Sequence, residues 1–257
     1  MRIWYQSIIS PERMPNYFRA LQEHAQSVAD PGTEVVVHGT RTGGQAEQYR
    51  FYEFWDTRDV VENVLTARQE GYDAFAIGNI LDPGLYEARE VLDVPALGLC
   101  ETSLLVACML GRSFSFIALN EKFIPRLEEK VRQYGLSSRL ASIDCMQLVI
   151  PQVDGAFHDP ARRAAAIDQF LDGARKTIAA GAEVLIPAAG GVMALLSLNR
   201  VFAVDGVPIL DGVAAIVKMT EMAVKLRQIT GVTVSRRLLY AQPPADLADL
   251  ARKAYGV

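Results

Sequence analysis

A stretch of this chain recurs at a spacing of 110 residues, and that repeat limits the fold more than any other feature. Gly71-Tyr72-Asp73-Ala74-Phe75-Ala76-Ile77 aligns with Gly181-Ala182-Glu183-Val184-Leu185-Ile186-Pro187. Each copy has a glycine suited to ending a helix, an acidic residue two positions on, and then an apolar run of strand length. At the same offset Glu34-Val35-Val36-Val37 aligns with Asp144-Cys145-Met146-Gln147, and Pro15 aligns with Pro125. Val94-Pro95-Ala96-Leu97 resembles Val207-Pro208-Ile209-Leu210 at a spacing of 113. Four matches in one order predict two related halves. No low-complexity linker separates them, so the halves are expected to share an interface.

Within each half, strand and helix patterns alternate. Arg2–Ile9 reads as a strand, and Ser10-Pro11 as the cap and first residue of a helix running to about Ala29. Asp30-Pro31-Gly32 stops that helix, and Thr33–His38 follows as a strand. Thr57–Gln69 is predicted helical, Asp73–Gly78 a strand buried on both faces, and Asp82-Pro83 the cap of a helix over 84–92. In the second half the expected strands are 114–119, 141–148, 183–187 and 208–210. The expected helices are 122–134, 160–180, 192–198 and 213–230, with Asp159-Pro160 as another cap. This alternation predicts an α/β fold of two pseudo-symmetric lobes. Each lobe is a parallel sheet flanked by helices, and the ligand cleft lies between them at the carboxyl ends of the strands. The expected divisions are 1–97 with 206–235 for the first lobe, 98–205 for the second, and 236–257 for a C-terminal tail.

Composition removes several function classes. Half of the 257 residues are hydrophobic and the net charge is −4, which is incompatible with a largely disordered chain. The pI near 5.5 and the absence of any basic run argue against a nucleic-acid partner. The longest uncharged run, 184–199, is shorter than the ~20 residues of a spanning helix and contains Pro187 and Gly190-Gly191, so no membrane partner is expected. Residues 1–7 are too short and polar to read as a signal peptide. Cys100, Cys108 and Cys145 form no CxxC pair and no ligand spacing with the histidines, which points to free thiols, a cytoplasmic setting and no metal site. No GxGxxG, GKS/GKT or HExxH motif is present, and no cofactor is expected.

Candidate site residues are those at the predicted strand ends. Tyr5, Ser7 and Ser10 follow the first strand, His38 the second, and Asn79 the third; Glu101 comes after the strand at 96–99 and Asn120 after that at 114–119. Ala189, Gly190 and Gly191 stand 110 residues after Asn79 and its neighbours, so the two turns should face each other. Glycines between a strand and a helix leave N–H groups open to an anion. Glu101 is the candidate general base, with His38 as a second acid–base candidate. For each residue a bland role competes: an N-cap carboxylate, a core histidine, a turn asparagine. The aromatic cluster Tyr49, Phe51, Tyr52, Phe54 and Trp55 reads as core, lid or subunit contact.

At this point the chain resembles a known group. Residues 73–85, DAFAIGNILDPGL, look like the first active-site segment of hydantoin racemases in the aspartate/glutamate/hydantoin racemase superfamily, and 183–191, EVLIPAAGG, look like the second. Residues 207–214 and 235–244 are similar to the family's last strand and helix and to its C-terminal tail. The resemblance implies a cofactor-independent enzyme, a homo-oligomer, and one cysteine at each of the two turns. One thiolate would take a proton from the carbon beside a carbonyl, and the other thiol would return one from the opposite face. Here the matching positions hold Asn79 and Ala189, neither of which titrates near neutral pH. The family's opening Asn is likewise replaced by Ser7, whereas Ser10 fits its usual Ser.

Two readings stay open. In one, an enzyme keeps the racemase cleft for a small carboxylate, ureide or cyclic amide and moves the proton with Glu101 or His38, with Asn79 in the catalytic set. Isomerisation, decarboxylation and hydrolysis are all compatible with it. In the other, the same cleft binds such a molecule without turning it over.

Overall fold

The computed structural model describes residues 1–44, 46, 48–244, 247 and 253–254. Its first half runs β1 (Arg2–Gln6), α1 (Pro15–Ser27), β2 (Glu34–His38), α2 (Arg50–Gln69), β3 (Ala74–Ile77), α3 (Leu85–Val91), β4 (Ala96–Gly98) and α4 (Leu99–Leu110). The second half runs β5 (Phe114–Ala118), α5 (Ile124–Gln133), β6 (Leu140–Cys145), α6 (Ile150–Ala156), α7 (Pro160–Ala179), β7 (Val184–Pro187), α8 (Gly190–Leu198), β8 (Ala203–Val204), β9 (Val207–Pro208) and α9 (Gly212–Thr230). The first sheet is parallel with order β2-β1-β3-β4, and the second is parallel with order β6-β5-β7. This is the expected two-lobed α/β architecture.

The register shows how deep the repeat goes. Phe75 pairs with Ala96 at the edge of the first sheet, and Leu185 forms an isolated parallel bridge to Ile209 in the second. Those pairs are related by the same offsets, 110 and 113, that the sequence displays. The second sheet thus keeps the trace of a fourth strand, reduced to one bridge because β9 is occupied in a short antiparallel pairing with β8. Every residue of β3, β5 and β7 is buried, as expected for strands covered by helices on both faces. Gly71 and Gly181, just past α2 and α7, have φ of +70° and +100°, the left-handed region that releases a chain from a helix.

One match in the repeat does not hold. Gln6 pairs with His38, and the equivalent Ile117 pairs with Asp144, so His38 and Asp144 are counterparts at a spacing of 106. The apparent match of 34–37 to 144–147 is out of register. Several element boundaries also differ. α1 starts at Pro15, because residues 11–13 form a turn whose Arg13 and Met14 N–H groups donate to the Ser10 carbonyl. α2 starts at Arg50, so the aromatic cluster lies on a helix, and its rings are exposed: Phe51 is 69% and Phe54 66% accessible. The sequence pattern does not predict α4 or α6: α4 begins directly after β4 and α6 just past the apolar run read as strand 141–148, so in both the apolar run masks the change of period.

Candidate functional site

The two matched turns meet. After β3, the Gly78 N–H donates to the Gln6 carbonyl at 2.7 Å; after β7, the Ala188 N–H donates to the Ile117 carbonyl at 2.9 Å. These equivalent bonds carry Asn79 and Ala189 to opposite sides of one cavity of about 60 Å³. Ser7, Tyr17, Gly78, Ala188, Gly190 and Gly191 line it as well, and Ile9, Met14, Ile80, Leu119, Phe123, Ile150 and Val153 form an apolar wall. A Cβ on Gly190 would stand 3.2 Å from the Gly78 carbonyl oxygen and 3.4 Å from the Tyr17 hydroxyl.

The polar groups here are mostly donors. The Oδ1 of Asn79 accepts the Leu81 N–H at 2.9 Å, which leaves its Nδ2 as the group available to a ligand. On the other side α8 opens from Ala189 in extended conformation with no side-chain cap, and its first helical bond runs from the Met193 N–H to the Ala189 carbonyl. The leading amides at Gly190 and Gly191 therefore have no intrahelical acceptor and carry the positive end of the helix dipole. Tyr17 is set by α6: Asp154 accepts its backbone N–H at 2.9 Å and the Asn16 amide at 2.9 Å. Nothing in the local sequence pattern marked Tyr17, because its place depends on Asp154, 137 residues away.

Some of the expected residues lie elsewhere. Ser7 lines the cavity, with Oγ accepting the Ile9 N–H at 3.2 Å. Tyr5 is fully buried beneath Gly78, where an added Cβ would come within 2.7 Å of its hydroxyl. That hydroxyl has no hydrogen-bond partner among the described residues, and burial pushes the phenol well up. Ser10 is buried outside the lining, with its N–H on the Gly43 carbonyl. Asn120 caps a short turn through Lys122 and donates to the Leu148 carbonyl, also outside the lining.

The two acid–base candidates do not reach the cavity. Glu101 lies in the first turn of α4 and forms a two-pronged ion pair with Arg89 of α3, one arm at 3.0 Å. The turn into α4 begins at Gly98, earlier than expected, and aims the carboxylate at that guanidinium. His38 stacks on Trp4 with ring centroids 3.3 Å apart, and its Nε2 lies 3.2 Å from the Tyr72 hydroxyl. Burial lowers its pKa and favours the neutral ring. Cys100 is fully buried; burial, with Asp82 adding to it, pushes its thiol well up. Neither Cys100 nor Cys108 nor Cys145 lines the cavity. Asp211 caps α9 through the Ala214 N–H and contacts His24 Nε2 at 2.8 Å.

Over residues 8–220 the sequence matches the family described as Asp/Glu/Hydantoin racemase. The chain belongs to that family. Among similar proteins, the hydantoin racemase of Pseudomonas sp. (strain NS671) is 29% identical over 224 residues, 87% of each chain. That of Rhizobium meliloti is 30% identical over 174 residues, 68% of each. The crystal structure of an allantoin racemase from Pseudomonas fluorescens superposes with a TM-score of 0.82 at 27% identity, covering 95% of this chain and 97% of that one. The racemase-family fold thus extends across nearly the whole molecule. No helix among the described residues is long and apolar enough to cross a membrane.

Proposed function

We propose that this chain is a hydantoin racemase-like enzyme that takes a small ureide, cyclic amide or carboxylate between its two matched turns and moves a proton on it without paired thiols or a cofactor. The observation that carries this reading is the single cavity shared by Asn79 and Ala189, with the family's overall fold around it. Donors on both sides, the Asn79 amide and the leading amides of α8, suit the carbonyl or carboxylate oxygens of such a ligand. The same donors stabilise the negative charge that reaches a carbonyl oxygen when the neighbouring carbon loses its proton. The resemblance places one thiol at each turn in the family's racemases; here those positions are Asn79 and Ala189. With Glu101 and His38 directed elsewhere, the phenol of Tyr17 is the ionisable group of the lining among the described residues. In this scheme its phenolate oxygen takes the proton from carbon and becomes the phenol, the electron pair moves onto the carbonyl oxygen, and a proton returns to carbon from Tyr17 on the same face or from solvent on the opposite one.

A second reading, ligand binding without turnover, is favoured by one specific feature: among the described residues, no carboxyl, imidazole, ammonium or thiol lines the cavity. Enantiopure 5-methylhydantoin in D₂O separates the two. Loss of optical activity with deuterium entering at carbon, abolished in Tyr17→Phe, supports the enzyme. Saturable binding with neither change supports the second reading, and no binding of hydantoins, allantoin or simple carboxylates overturns both.

A further inference from the structure

Asp82 reads in the sequence as the cap of α3, but it does something else. The cap of α3 is Gly84, and the Asp82 side chain turns away to the start of a different helix. Its Oδ1 accepts the Cys100 N–H at 2.8 Å and its Oδ2 the Glu101 N–H at 2.9 Å, so it supplies the first turn of α4 with an acceptor from 18 residues back. The same Oδ2 accepts the hydroxyl of Tyr134, at the end of α5 in the second half, at 2.6 Å. The residue is 4% exposed and has a φ of +47°, a left-handed conformation that a side-chain-bearing residue keeps only where its surroundings demand it. Gly98 makes the room: a Cβ there would lie 2.5 Å from Asp82 Oδ1. On its other side the backbone N–H of Asp82 donates to the Asn79 carbonyl at 3.0 Å and closes the turn in which Asn79 also holds the Leu81 N–H.

We propose that Asp82 is a positioning residue for Asn79, anchoring the first cavity turn at once to α4 and, through Tyr134, to the half of the molecule that carries Ala189 and Gly190. A buried acceptor that takes three hydrogen bonds from two elements is a stiff joint. It connects the turn presenting the Asn79 amide to the opposite half, so the two sides of the cavity keep a fixed separation. Tyr134 and Gly98 are outside the cavity lining, so both can be changed without touching a bound molecule. The inference rests on the proposed ligand mode only in its second readout.

Tyr134→Phe removes one of the three donors, and Gly98→Ala displaces the carboxylate while leaving its chemistry intact. The first readout is the Asn79 side-chain amide in a ¹H–¹⁵N spectrum of the free protein, assigned by its loss in Asn79→Ala. A positioning role predicts that this resonance shifts or broadens in both variants. The second is the Kd of 5-methylhydantoin in a cycle with Asn79→Ala. The expected result is a 3- to 10-fold weakening by Tyr134→Phe in the wild-type background and less than 2-fold in Asn79→Ala. An unmoved Asn79 resonance in a folded variant overturns the proposal, as does an equal loss of affinity in both backgrounds. If the wild-type protein fails to bind the probe, the ligand reading falls and the spectrum still decides the role of Asp82. If one variant does not fold, the other gives the same two readouts.

Discussion

Gly190→Ala separates the cavity from the fold. Gly190 is the first residue of α8 and has no left-handed requirement, so alanine can adopt its backbone conformation. The added methyl would sit 3.2 Å from the Gly78 oxygen and 3.4 Å from the Tyr17 hydroxyl, which asks for a few tenths of an ångström of give. That costs about 1 kcal/mol, the low end for overpacking, and at the first helical position alanine returns only part of the ~1 kcal/mol interior propensity gain. The net cost is below about 1 kcal/mol, so the melting temperature should stay within about 2–4 °C of wild type. The methyl nevertheless occupies the point where α8, Gly78 and Tyr17 converge on the cavity. A ligand oxygen held by the leading amides would lose a charge-assisted hydrogen bond, about 1.5–3 kcal/mol, or roughly 10- to 150-fold in Kd. Titration calorimetry with 5-methylhydantoin beside a thermal melt reads both quantities. Gly78→Ala is the contrast in stability, because its Cβ would collide with the fully buried ring of Tyr5. That overpacking costs about 3 kcal/mol, or a drop of about 6–12 °C. Unchanged affinity in a stable Gly190→Ala protein would remove α8 from the binding mode.

Three further outcomes follow from buried groups. Burial, then Asp59 and Glu53, push the Asp56 carboxyl up to about 7 from an ordinary 3.8. The folded chain therefore keeps a proton that the unfolded chain releases, and stability falls as pH rises from about 4 to about 7. Asp56→Asn should leave stability in a denaturant melt unchanged at pH 4 and raise it at pH 8 by an amount on the order of 1–3 kcal/mol; a variant that follows the wild-type pH curve refutes the assignment. Tyr5→Phe deletes a hydroxyl that is buried without a partner among the described residues, and should stabilise the protein by about 1 kcal/mol in a denaturant melt, whereas a loss would mean the hydroxyl is bonded. Iodoacetamide on the native protein should modify Cys108 or Cys145 before Cys100 and leave ligand affinity unchanged. Inhibition that tracks modification of Cys100 would restore a thiol mechanism.

What the sequence made legible was backbone position. The turns at Asn79 and Ala189 could be matched from the 110-residue spacing because equivalent strands in equivalent sheets must end at equivalent places, and the cavity lies between them. Side-chain direction was not legible in the same way. Glu101 is turned by Arg89, His38 by Trp4, and Tyr17 is placed by Asp154; each partner lies outside the local pattern from which the residue was read. Asp82 looked like a helix cap and is one, but for α4 rather than α3, a choice made by the tertiary placement of Gly98. The repeat also hides an asymmetry that matters for chemistry. The first turn offers a side-chain amide, Asn79, braced by a buried carboxylate, whereas the second offers main-chain amides at the uncapped start of α8. In the proposed mode, a small molecule lying between the two matched turns meets unlike donors at its two ends. A symmetric fold can therefore hold an unsymmetric ligand in a single orientation, which stereochemical work on one carbon requires.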